Sequence, residues 1–169
     1  MTQTAMAEGW TLGLPETPCG QGSTIARTEL VRRALPGLVQ KYAIRTVVDA
    51  GAGDLNWIQR VNWDVEYTPY DLIPRHAKVR QADITRDVLP ACDLILCRHV
   101  LNHLDFMSMR EALSLFRQSA RYLLATQVDG ELPEQPGWHH YNLRPWLGEP
   151  LERIPDTEGT GCLALWPMR

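Results

Sequence analysis

The chain has 169 residues, enough for one substantial core and one domain. Its 44% hydrophobic and 22% charged residues are ordinary for a globular protein, and a net charge of −3 gives no general attraction to nucleic acid or an anionic membrane, leaving a local basic patch as the one route to such partners. No apolar run approaches the roughly 20 residues of a membrane span. The opening residues MTQTAMAEGW lack the basic start and apolar core of a secretory signal. The cysteines at 19, 92, 97 and 162 show no C-x-x-C spacing, so reduced thiols and a cytoplasmic location are expected.

Residues 1–22 are rich in Gly, Thr and Pro without periodicity and read as an arm, leaving 23–169 as the folded domain. Val31, Ala34, Leu35, Leu38, Val39 and Tyr42 recur at helical spacing, and Pro36 predicts a break at Leu35 followed by a second short helix. Ile44–Asp49 reads as the first strand, ending in a glycine-rich turn. Asp54–Ile58 reads as the first turn of a helix that runs to Val61. Val65–Tyr70 is a second strand, ending at Asp71. Leu72–Ala77 contains Pro74 and is too short for a helix; Val79–Ala82 is a short third strand before Asp83 and Ile84. Asp93–Cys97 (DLILC), apolar after its first residue, predicts a buried fourth strand. Ser108–Ala120 is an amphipathic helix through Met109, Ala112, Leu113 and Phe116, and Tyr122–Gln127 is strand five. Asp129–Gly137 reads as a loop. Leu151–Ile154 and Cys162–Trp166 then form a closing hairpin around Gly159–Gly161.

A strand, a Gly-x-Gly turn and a helix make a nucleotide-cofactor cradle. Gly51 and Gly53 let a ligand approach the main chain, and a helix N-terminus favours an anionic group. A dinucleotide fingerprint would need a third glycine at position 56, which is Asn56. The run Asp49, Ala50, Gly51, Ala52, Gly53 resembles instead motif I of the class I S-adenosylmethionine (SAM)-dependent methyltransferases. Its continuation through Asp54, Asn56 and Trp57 looks like a small single-domain bacterial or phage subgroup, for which no acceptor can be inferred. The resemblance spans about Thr24 to Trp166, departing in the missing third glycine and in having no inserted substrate domain. It implies an α/β fold: a Rossmann-like three-layer sandwich with a mostly parallel seven-stranded sheet and an antiparallel C-terminal hairpin. The implied cofactor is S-adenosyl-L-methionine.

The cofactor residues expected on this reading are Asp49, Ala50, Gly51, Gly53, Asn56, Trp57, Asp71, Leu72, Asp83, Ile84 and Arg98. Asp71 lies about 20 residues beyond the turn, where an acid meets ribose hydroxyls in βαβ nucleotide sites; the plainer alternative is a solvated acid at a strand end. The resemblance gives Asp83 and Ile84 the adenine, with a turn-capping Asp83 as the alternative. Gly22, Ser23 and Thr24 either hold the cofactor carboxylate or cap the first helix. Trp57 either packs in the core or stacks on a flat acceptor.

Strand four delivers His99 and His103 to its carboxyl end, the ligand side of an open α/β sheet. Imidazoles titrate near neutrality, so these two are the candidate general bases, each with a structural hydrogen-bonding alternative. Their H-x-x-x-H spacing invites zinc, but no Glu follows the first His and no third ligand is evident, so no metal is expected. Asn102, Trp138, His140 and Tyr141 are the candidate acceptor contacts. The expected reaction is methyl transfer to an oxygen or nitrogen of a small polar or aromatic molecule. Two alternatives stay open: a methyltransferase-fold SAM-binding or interaction module without catalysis, and an enzyme acting on a nucleobase or macromolecule. No membrane partner is expected; a homodimer and a complex subunit both stay open.

Overall fold

In a computed structural model that describes residues 16–129, 137–157 and 161–168, the chain forms seven strands and three α-helices. They are α1 (Glu29–Lys41), β1 (Thr46–Ala50), β2 (Glu66–Asp71), β3 (Arg80–Gln81), β4 (Cys92–Cys97), α2 (Phe106–Ser119), β5 (Ala120–Val128), the one-turn α3 (Arg144–Leu147), β6 (Glu152–Thr157) and β7 (Gly161–Pro167). The sheet order is β3-β2-β1-β4-β5-β7-β6. Strands β1 to β5 pair in parallel, whereas β7 runs antiparallel to both β5 and β6. The expected fold class is therefore the observed one. Of the expected segments, residues 1–15 of the arm, 130–136 of the loop and 158–160 of the hairpin turn lie outside the described residues.

Period-two alternation sends neighbouring residues of the central strands to opposite faces. Val47, Leu94, Leu96 and Leu124 meet Val31, Leu35, Leu38 and Val39 of α1 on one face. Val48, Ile95, Cys97 and Leu123 meet Met109, Ala112, Leu113 and Phe116 of α2 on the other. These are the three layers. Each fully buried leucine stabilises the fold by roughly 1.5–3 kcal/mol. Helix α2 starts on an N-cap, with Asp105 Oδ1 accepting from Ser108 N at 2.9 Å.

Two expectations are corrected. Helix α1 runs unbroken through Pro36, because one missing N–H and a local clash are outweighed by apolar residues buried on both sides of the proline: Val31 and Leu35 before it, Leu38 and Val39 after it. No α-helix links β1 to β2. Leu55 takes a left-handed φ of 63°, Asn56 N bonds to Asp54 Oδ1 in a local turn, and only a 3₁₀ turn at Ile58–Arg60 follows.

Candidate functional site

The glycine turn sits at the carboxyl end of β1. Gly51 has φ 100° and Gly53 φ 60°, left-handed values that side chains resist. Gly51 N and Ala52 N both donate to Tyr70 O, at 2.8 and 2.9 Å. Gly53 N donates to Asp71 Oδ2 at 2.8 Å, and Ile73 N to Asp71 Oδ1 at 3.0 Å. The acid at the end of β2 is thus docked onto the turn, and the expected helix N-terminus with free N–H groups is absent.

Both glycines are also covered. A Cβ on Gly51 would overlap Val100 Cγ2, and one on Gly53 would lie 2.8 Å from Cys19 Sγ. Burial, and then the Asp54 charge, push the Cys19 thiol up to about 11. Asn56 faces the same segment, its Nδ2 donating to Glu16 Oε1 at 2.9 Å and to Ser23 O at 3.0 Å. Thr24 keeps to a local turn, its Oγ1 donating to Gln21 O at 2.9 Å.

Beneath the turn, Asp49 is 3% exposed and accepts from Tyr67 Oη at 2.5 Å. Burial pushes its carboxyl up to about 7, the Tyr67 hydrogen bond opposes the rise, and the Asp71 charge adds to it. Ala50 is fully buried, and Trp57 packs in the α1-side core with the Arg98 guanidinium 5.4 Å from its ring centre. Leu72 O accepts from Gln81 Nε2 at 3.3 Å. Asp83 and Ile84 lie in a capped turn: Asp83 Oδ1 accepts from Thr85 N and Thr85 Oγ1, at 3.0 and 2.7 Å. Ile84 is buried in the α2-side core. The edge therefore gathers Asp49, the glycines, Asp71 and Arg98, while Asp83 is engaged in its own turn and Ile84 in the α2-side core.

At the end of β4 the structure adds a residue that sequence reasoning missed. Asp156, 3% exposed near the end of β6, takes Arg98 Nε at 3.0 Å from both oxygens and Nη2 at 2.7 Å from Oδ1. Its Oδ2 also lies 3.0 Å from His99 Nε2. A register irregularity between Pro155 and Thr157 falls at this residue, and bulges re-aim side chains. Burial alone would raise the Asp156 carboxyl; the His99 hydrogen bond and the Arg98 charge hold it below the usual range. His99 goes down, chiefly through burial, with its Asp156 bond opposing. It is therefore a neutral imidazole whose Nε2–H donates to the carboxylate, leaving the Nδ1 lone pair as acceptor. His99 sits at φ 57°, its N–H bonded to Thr126 Oγ1 at 2.8 Å. No local signal marks Asp156: it sits at the register irregularity, where simple alternation from Ile154 is no guide.

His103 Nδ1 lies 2.8 Å from Gly137 O and so donates to it; burial lowers His103 to about 4. Trp138 sets its ring edge-on to His99 and His103, at 5.4 and 4.8 Å between centres, and Trp138 Nε1 donates to His140 Nδ1 at 3.3 Å. Asn102 is fully buried: its Nδ2 donates to His139 O at 2.7 Å, and its Oδ1 has no donor among the described residues. Tyr141 Oη donates to Leu104 O at 2.9 Å. The expected acceptor residues are thus packed around the turn after β4. Among the described residues, no group of three or more His, Cys, Asp or Glu is placed to hold a metal.

No model of a known protein family and no curated protein matches this sequence. Solved structures do match. The N-methyltransferase NodS from Bradyrhizobium japonicum WM9, in complex with S-adenosylhomocysteine, is 17% identical with a TM-score of 0.66, over 97% of this chain and 94% of that one. The N-terminal domain of EvdMO1, in the presence of S-adenosylhomocysteine and D-fucose, is 13% identical with a TM-score of 0.57, over 89% and 85%. The mitomycin 7-O-methyltransferase MmcR is 14% identical with a TM-score of 0.57; the match covers 90% of this chain but 63% of that one, under two thirds of its length. The strand order, the antiparallel end of the sheet and these neighbours lead to one conclusion: the chain has the Rossmann-like fold of the class I SAM-dependent methyltransferases.

Proposed function

We propose that this chain is a SAM-dependent methyltransferase that acts on an oxygen or nitrogen of a small polar or aromatic acceptor. The observation that carries the reading is the joint between Asp71 and the glycine turn, which makes the β2 acid and the β1 turn one unit at the ligand edge of the sheet. NodS and EvdMO1, which share this fold, were crystallised with S-adenosylhomocysteine.

The residues fit the cofactor in two places. Asp71 spends two of about four acceptor positions on backbone N–H groups, leaving two for vicinal ribose hydroxyls. The Gly51–Gly53 turn suits the methionine end once Cys19 is withdrawn from Gly53. When bound, SAM supplies a sulfonium methyl group open to in-line attack. The chain's own work is then to position the acceptor and hold its proton. His99 is the better base, because Asp156 fixes its tautomer and leaves Nδ1 as acceptor. His103 is weaker, its Nδ1 bound to Gly137 O and its protonated form disfavoured by burial. Asn102 Oδ1 suits an O–H or N–H of the acceptor.

Calorimetry with S-adenosylhomocysteine tests the reading, with micromolar binding expected. No heat at millimolar ligand would defeat it. A second reading, a methyltransferase-fold module without chemistry, draws support from the covered glycines. Formation of S-adenosylhomocysteine from SAM with any acceptor removes it.

A further inference from the structure

We infer that the segment Glu16–Ile25 is a latched lid that must lift before a ligand reaches the glycine turn or His99. This rests on the site assigned above and adds its control. Two separate contacts put the segment across both halves of that site. At one end Cys19 Sγ lies against Gly53, where a Cβ would be 2.8 Å from the sulfur. At the other, Gly22 lies against the His99 ring, where a Cβ would be 2.7 Å from Nδ1, the nitrogen left open by Asp156. The loop between them is braced internally by Ser23 N bonding to Gly20 O and Cys19 N to Thr17 Oγ1, at 3.0 and 3.1 Å.

Ile25 packs against the α1-side core and anchors the segment at its far end, and Thr17 is buried, but the bonds that tie the segment to the β1 turn are polar and open to water on the Glu16 side. Glu16 Oε1 accepts from Ile25 N at 2.6 Å and from Asn56 Nδ2 at 2.9 Å, and the same Asn56 nitrogen reaches Ser23 O. Glu16 itself is exposed. Hydrogen bonds in contact with water contribute little net stability, so such a fastening opens at small cost, unlike the apolar packing under α1. Asn56, where a dinucleotide motif would carry glycine, is thus the fixed half of a latch. Its amide needs the side chain that glycine lacks. Gly22 and Gly53 have the matching requirement on the closed faces: any side chain at either would hold the lid off its seat.

The test compares the full chain with Glu16→Ala and the conservative Glu16→Gln, each first checked for an unchanged melting temperature. Maleimide labelling followed by peptide mass spectrometry measures exposure of Cys19 without any ligand. Stopped-flow mixing with S-adenosylhomocysteine measures association. Glu16→Ala is expected to speed both by about three- to ten-fold, the range for losing an exposed charge-assisted contact, with Glu16→Gln between it and wild type. Unchanged Cys19 labelling in Glu16→Ala overturns the latch. Faster labelling with unchanged association overturns the gate. If S-adenosylhomocysteine binds none of the three proteins, the functional assignment fails, and the labelling result still decides the latch on its own.

Discussion

Arg98 and Asp156 are joined by three hydrogen bonds of 2.7 to 3.0 Å across 58 residues of sequence, with both side chains almost wholly out of water. A buried pair of this kind is costly to break from one side, because the remaining charge loses both partner and solvent. Asp156→Asn is expected to destabilise the fold by about 3–5 kcal/mol in urea unfolding. Replacing both residues with apolar ones, Arg98→Met with Asp156→Leu, should recover most of that loss. In Asp156→Asn the His99 imidazole should also become harder to protonate, since the carboxylate that favours its charged form is gone; histidine NMR titration reads this directly.

Gly51→Ala combines a positive φ with an overlap at Val100. The two together should destabilise by about 2–4 kcal/mol. Adding Val100→Ala should return only the packing part, because the backbone strain stays. Thermal unfolding of the single and double variants separates the contributions.

Asp49 makes stability depend on pH. Its folded carboxyl is raised from 3.8 to about 7, so the stability held by its neutral form is present at low pH and lost as pH rises through 7. Asp49→Asn keeps an acceptor for Tyr67 and cannot ionise. It should gain on wild type by about 3 kcal/mol between pH 5 and 8, at 1.4 kcal/mol per unit. A constant difference over that window would contradict the assignment.

His103 has the opposite sign. Its folded value falls from 6.5 to about 4, so stability is full above 6.5 and is lost as pH falls towards 4. The His103 ring resonances should hold still from pH 8 to 5 and move only below that. His103→Gln should flatten the acid limb of the stability profile.

Pro36→Ala should stabilise α1 by about 1–3 kcal/mol, since alanine restores an N–H to an already continuous helix. Chemical denaturation measures it. A loss of stability would mean that the proline ring packs better than a restored hydrogen bond.

The strands were legible because each is a local pattern. Val47–Val48, the run ending at Cys97 and Leu123–Leu124 are buried apolar stretches too short for a helix, which is what marks them as strands. The turn at Gly51 and Gly53 was legible for the same reason, as left-handed angles there need glycine. The helix after it was misread: Asp54 and Asn56 bond locally, and Leu55 takes an angle that no periodicity announces. The break at Pro36 was misread because propensity counts one residue, whereas burial of Val31 and Leu35 with Leu38 and Val39 acts on both sides at once.

By itself, the sequence determined where the chain extends, where it turns on glycine and which faces seek the core, since those depend on neighbours a few residues apart. Only the tertiary structure decided that Asp156 turns inward to Arg98 and His99, and that Cys19 and Gly22 close over Gly53 and His99. Those pairings join residues far apart in the chain. Their geometry is set by the order of strands and an irregularity near the end of β6, neither of which leaves a local trace.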